Sequence, residues 1–301
     1  MSDTPRASSK SRRLRVFNVV LAALIYCARN AGGLFIVAWF PCFLVSACRL
    51  ALEWLIFAWP PRMPAWLLFN HFEPPTWLAA LVVPFWEAMA WLFVLSFMAD
   101  RNSMRGAVTT PIARLTWLRF ELCPAVFVAA AIFSFVALVD GIARFTQLQL
   151  LVGALTFFEL AGTEMDLWAY LAEAIRVALI TMVSALLYPI AGHVLRTGTV
   201  AVARSWRITR GNRLRLFAIF LLLTVALQGL DRFVVPATTW LTRSLADPLS
   251  WTLEAASIRY AVDFPFNMLW IVVWAVTVGI VLNALEAPSP SADEGPSIST
   301  P

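Results

Sequence analysis

Apolar residues in this chain follow neither the two-residue period of a half-buried strand nor the narrow stripe of a surface helix; they run together. Six such runs, at about 33–57, 77–98, 120–139, 167–192, 214–235 and 264–285, are each long enough to cross a hydrocarbon layer about 30 Å thick as a helix. A shorter run, Val16 to Ala28, is not. Arg29-Asn30 and Gly32-Gly33 then separate it from the first span, which predicts a helix lying in the membrane interface. Leu148 to Leu160 is also apolar and short, and reads equally as a re-entrant, an interfacial or a spanning segment; if it spans, every later orientation inverts.

The polar residues between these runs are sorted by sign. Arg6, Lys10, Arg12, Arg13 and Arg15 precede the first run. Arg101, Arg105, Arg114 and Arg119 fill the connection after the second span, and Arg196, Arg204, Arg207, Arg210, Arg213 and Arg215 the one after the fourth. The alternate connections are poor in bases: Arg62 stands alone in 59–76, Arg144 faces Glu159, Glu164 and Asp166, and Arg243 and Arg259 are balanced by Asp247, Glu254 and Asp263. Positive charge stays on the cytoplasmic side, so the pattern predicts an all-α polytopic bundle of six spans with both termini in the cytoplasm. Residues 1–15 read as a basic cytoplasmic tail. The hydrophilic lead is too long, and the rest of the chain too apolar, for the first hydrophobic run to be a cleaved signal. Residues 286–301, rich in proline and serine, predict a disordered tail.

Composition excludes other classes. The chain is 60% hydrophobic and 14% charged, with a mean hydropathy of +0.76, far from the balance of a soluble domain. Its net charge of +5 lies at span ends, where topology accounts for it, so no nucleic-acid partner is expected and the bilayer is the primary one. Cys27, Cys42, Cys48 and Cys123 stand in apolar surroundings without metal-ligand spacing, and His71 and His193 fall on opposite sides of the membrane. No metal and no cofactor is expected. Nor does any nucleophile–base pair, carboxylate pair or phosphate-cradling loop suggest an enzyme.

The candidate chemistry lies inside the spans. Glu87 sits near the middle of the second, where a charge costs about 2.5–3.5 kcal/mol on insertion scales, and Pro84 disturbs the helix at the same depth. Arg49 and Glu53 stand at i and i+4 in the first span, Glu173 and Arg176 at i and i+3 in the fourth, so each pair shares a helix face. Spans centred near Val45 and Ile180 put both arginines about 6 Å to the outer side of the midplane. Arg49, Glu53, Glu87, Glu173 and Arg176 would then form one network, provided that spans one, two and four are neighbours. That network reads either as the lining of an outward-facing cavity for an anionic solute or as ion pairs that lock the helices together. Glu121, Asp140, Asp231 and Arg232 lie near span ends, where interfacial solvation explains them.

The inner segment VAVARSWRITR predicts a short helix with Val202, Trp206 and Thr209 on one side and Arg204 and Arg207 on another, stopped by Gly211-Asn212. Arg204, Trp206, Arg207 and Arg210 are candidate contacts to anionic lipid at the cytoplasmic face. Ser205-Trp206, Thr209-Arg210-Gly211-Asn212 and Leu214 to Phe217 resemble the loop-to-span signature of uncharacterised six-span bacterial membrane families, including the membrane domain fused to some glycerophosphodiester phosphodiesterases; the N-terminal helix, Arg29-Asn30 and the Pro41 span are also similar. The resemblance implies a six-helix bacterial inner-membrane domain, and this chain has no soluble domain onto which the phosphodiesterase residues would map. The reading favoured by the sequence is a non-enzymatic accessory or lipid-interacting membrane factor, with a small transporter or channel for an anionic solute as the alternative.

Overall fold

The computed structural model describes residues 14–58, 74–99, 123–158, 163–200, 202–245 and 253–286. The predicted N-terminal tail up to residue 13, His71, the basic connection 101–119 and the tail beyond Glu286 lie outside the described residues.

Eight α-helices and one 3-10 turn make up what is described: α1 Val16–Arg29, α2 Ala31–Ala58, α3 Pro74–Ala99, α4 Cys123–Phe158, α5 Thr163–Thr197, α6 Val202–Thr209, the turn Arg210–Asn212, α7 Arg213–Leu245 and α8 Leu253–Glu286. Six of them are long and apolar enough to cross a membrane. The protein is an all-α integral membrane bundle. Length separates the structure from the sequence expectation most at α4, which continues past residue 139 as one helix of 36 residues, about 54 Å long. Leu148 to Phe158 is therefore the end of the third span's own helix, with no re-entrant turn or extra crossing among these described residues; Glu159 and Leu160 of the expected segment lie outside them.

The spanning helices assemble as three consecutive antiparallel hairpins, α2–α3, α4–α5 and α7–α8. The second helix of each hairpin lies inside: α3, α5 and α8 touch one another, while α2 sits between α8 and α3, α4 between α3 and α5, and α7 between α5 and α8. Towards the end that carries α6 and its arginines, hereafter the basic end, this triangle is packed solid. Glycine permits the contact: a Cβ on Gly192 of α5 would strike Val278 of α8, one on Gly279 of α8 would stand 2.7 Å from Met98 Sδ, and one on Gly33 of α2 would stand 2.6 Å from Phe97 Cζ. α5 closes on Gly198 at φ 67°, whose N–H bonds to Val194 O at 2.9 Å, the left-handed stop that glycine adopts at least cost.

α1 lies across α7 and α8, burying Val19 and Ala23 and leaving Phe17, Leu21, Leu24 and Ile25 exposed as one stripe. Its start is pinned where the Leu14 N–H donates to Asn212 Oδ1 at 3.1 Å, a buried bond joining the N-terminal elbow to the turn before α7. An apolar helix of 14 residues, about 21 Å, fixed in this way stays at the basic end.

Candidate functional site

At the other end the three hairpins splay apart around a cavity of about 800 Å³. Every spanning helix contributes one face to it at helical spacing: Arg49 from α2; Glu87 and Trp91 from α3; Phe133, Ala137, Asp140 and Arg144 from α4; Arg176, Thr181, Ser184 and Tyr188 from α5; Thr224, Gln228 and Arg232 from α7; Asp263, Asn267, Trp270 and Trp274 from α8. These steps of three and four residues stack the lining into layers.

The floor is aromatic. The Tyr188 ring lies 5.2 Å from Trp91, 5.4 Å from Phe133, 5.6 Å from Trp274 and 6.1 Å from Phe220, mostly edge to face, so rings from α3, α4, α5, α7 and α8 meet on one residue. Below them, towards the basic end, Leu195, Leu216, Ile219, Val278 and Leu282 are fully buried. The cavity therefore ends blindly within the bundle. One helical turn above Trp91, about 6 Å, stands Glu87, and Arg49 Nη2 donates to its Oε1 at 3.0 Å. Hydroxyl and amide groups from Thr181, Ser184, Thr224, Gln228 and Asn267 share the middle layer.

A second group of charges lies nearer the mouth. Arg176 gives Nε to Glu173 Oε2 at 2.9 Å and Nη2 to Oε1 at 2.6 Å, a bidentate grip, and its Nη1 donates to Asp140 across the α4–α5 interface. Asp140 Oδ2 also accepts from Arg144 Nε at 2.9 Å. Its carboxylate is a structural bridge between two helices, which corrects its sequence reading as a solvated span end: α4 does not end there but runs on to Phe158, about five more turns. Arg232, set aside on the same ground, lines the cavity and forms no ion pair among the described residues.

The expected five-residue network is thus two groups facing one cavity, and no hydrogen bond joins them among the described side chains. Arg49 finds its partner on the neighbouring helix α3; the Glu53 side chain, its expected partner within α2, lies outside the described residues. Among the described residues, four arginines and four carboxylates line the space in balance: Arg49, Arg144, Arg176 and Arg232 against Glu87, Asp140, Glu173 and Asp263.

Beyond the packed zone, at the basic end, α5 and α8 are tied a second time. Glu286 accepts from His193 Nδ1 at 2.9 Å and from Arg196 at 3.3 Å, while Arg196 Nη1 donates to Asn283 Oδ1 at 2.6 Å. His193 is buried, and its Nε2 has no partner among the described residues. With Glu286 ionised, Nδ1 carries the ring proton.

The short helix α6 is oriented differently from its hydrophobic pattern. Ser205 and Thr209 form its buried face, continued by Asn212, whereas Val202 and Trp206 are exposed beside Arg204, Arg207 and Arg210. Small polar groups dock on the bundle because they allow close approach and find hydrogen bonds, as Thr209 Oγ1 does to Ser205 O at 3.3 Å; the apolar side chains have lipid to face instead. Trp206 is held by the Arg213 guanidinium 4.1 Å from its ring centroid. Comparison with protein families, curated proteins and solved structures finds no match to this chain.

Proposed function

We propose that this is a non-enzymatic protein of a bacterial cytoplasmic membrane that handles a small charged solute: a transporter whose cavity loads from the side away from the basic face. The observation that carries the reading is the blind cavity of about 800 Å³, charged at its mouth, amide- and hydroxyl-lined in its middle and aromatic at its floor. That volume lies within the range of small-molecule sites. A pore is a poorer fit, because the Tyr188 cluster and the packed residues beneath it obstruct the axis. A space that is open at one end among the described residues and closed at the other, between helices tied on the closed side by the Glu286 cluster, has the form of one end-state of alternating access.

The reading is tested by accessibility. Gln228→Cys in a background without Cys27, Cys42, Cys48 and Cys123 should be labelled by a membrane-impermeant thiol reagent in intact cells. Absence of labelling in a variant shown to be inserted and folded would overturn it.

The basic end supports a second, compatible role in contacting anionic lipid. Arg204, Arg207 and Arg210 are exposed beside Trp206, whose ring Arg213 holds at the surface, and each arginine near an anionic leaflet contributes about 1 kcal/mol of attraction. Replacing the three by glutamine should weaken co-sedimentation of the purified protein with phosphatidylglycerol vesicles; unchanged binding would exclude this role. The resemblance to six-span bacterial membrane families accords with both.

A further inference from the structure

The charged groups of the cavity differ in how far they are committed. Arg176 spends all of its guanidinium edges on Glu173 and Asp140, and Asp140 takes Arg144 as well. The Arg49–Glu87 pair is joined by one contact of 3.0 Å, and its side chains remain 40% and 25% exposed while lining the cavity. This is the deepest charge pair, one turn above the aromatic floor, and it has hydrogen-bonding capacity to spare.

A ligand of one sign is poorly served there. An anion that took Arg49 would leave Glu87 without its counter-charge beside Trp91, and a cation that took Glu87 would strand Arg49. Leaving a charge unpaired once a ligand has displaced the water around it is the costliest outcome for an ion pair. A molecule with both charges replaces each partner at once and strands neither. The balance of four arginines and four carboxylates among the described lining residues points the same way, since together they offer an anion no net positive charge. Trp91, Trp270 and Trp274 at the bottom add the rings that favour an ammonium group.

Building on the reading of this cavity as a solute site, we infer that its ligand is a small zwitterion. Its anionic group accepts from Arg49, its ammonium group lies against Glu87 and the tryptophan rings, and its apolar body rests on the floor. This replaces the purely anionic solute expected from the arginines alone.

Two sets of near-isosteric probes test the inference on the purified full-length protein, read through tryptophan emission. The first is glycine betaine, choline and 3,3-dimethylbutyrate; the second is phenylalanine, phenethylamine and 3-phenylpropionate. In at least one set the zwitterion should bind about tenfold or more tighter than both singly charged analogues. Glu87→Gln should move the preference to the anion, and Arg49→Gln to the cation. A singly charged probe that matches or exceeds its zwitterion in both sets would overturn the zwitterion assignment while leaving the solute-site reading intact. Failure of every probe to bind would overturn both.

Discussion

Gly192 on α5 and Val278 on α8 meet with no room between them for a methyl group. Valine is stiff at χ1, so it cannot swing aside as a longer side chain would. Gly192→Ala should therefore destabilise the bundle by about 1–3 kcal/mol, although alanine is the better helix former. Gly229 on α7 has nothing within 4 Å of its notional Cβ, and Gly229→Ala should be neutral or stabilising by up to about 1 kcal/mol. Thermal unfolding in one detergent, read by size-exclusion fluorescence, compares the two.

Arg49 and Glu87 should behave as a coupled unit. Arg49→Gln or Glu87→Gln alone leaves an unpaired charge near the floor, whereas the double replacement leaves two neutral amides that can bond to each other. The double variant should be more stable than the sum of the single losses implies, with a coupling of about 0.5–3 kcal/mol in a double-mutant cycle. Strict additivity would mean that water in the cavity already screens the pair.

Asp140 and Glu173 both hold Arg176, but only Asp140 does so from another helix. Asp140→Asn should lower the unfolding temperature more than Glu173→Gln, because the first loosens the α4–α5 interface and the second a pair within α5. The reverse ranking would assign the bridging role to Glu173.

Glu286 collects His193 and Arg196 at the basic end, and Glu286→Gln weakens both contacts while keeping the shape of the side chain. In inside-out vesicles, Ser184→Cys, buried in the cavity wall, should then be alkylated faster by an impermeant reagent than in the parent carrying Glu286. An unchanged rate would mean that the packing of Gly192 and Gly279 holds this end shut without the ion cluster.

Burial pushes the Cys27 thiol on α1 up to about 11, and the thiolate is the species that reacts. In a variant keeping Cys27 alone, alkylation should be slow at pH 7 and should rise with pH until about 11. A plateau near pH 9 would show that the α1–α7–α8 contact leaves this thiol in water. Since a thiol is neutral below its pKa, no loss of stability is expected from Cys27 as pH falls through neutrality.

What was legible in the sequence follows from what hydropathy measures. Crossing a membrane requires length and apolarity, both local, so the six spans could be read directly. The glutamate in α3 was legible because a charge there has no other excuse. Arg49 could be placed in one network with it, but not as its direct partner: Arg49 has an acid four residues away in its own helix, and only the packing of α2 on α3 shows that it reaches across to Glu87. Asp140 was discounted because the apolar run seemed to stop before it, and the continuation of α4 through Gly141 and Arg144 depends on support from α5. α6 misled for a related reason, since the rule that apolar faces turn inward weakens where lipid is the solvent, and Ser205 and Thr209 were the docking residues.

The arrangement of the hairpins also governs how the chain is made. α8 is synthesised after the other five spans, yet it packs on α1, α2, α3, α5 and α7. Until it emerges, α3 and α5 have no third member for the inner triangle, and Gly192 and Met98 have nothing to close upon. A nascent chain halted before Leu253 is thus a horseshoe with an open seam. The hairpins α2–α3 and α4–α5 can pair before α8 exists, but the inner faces of α3 and α5 stay uncovered until the last span inserts between α2 and α7.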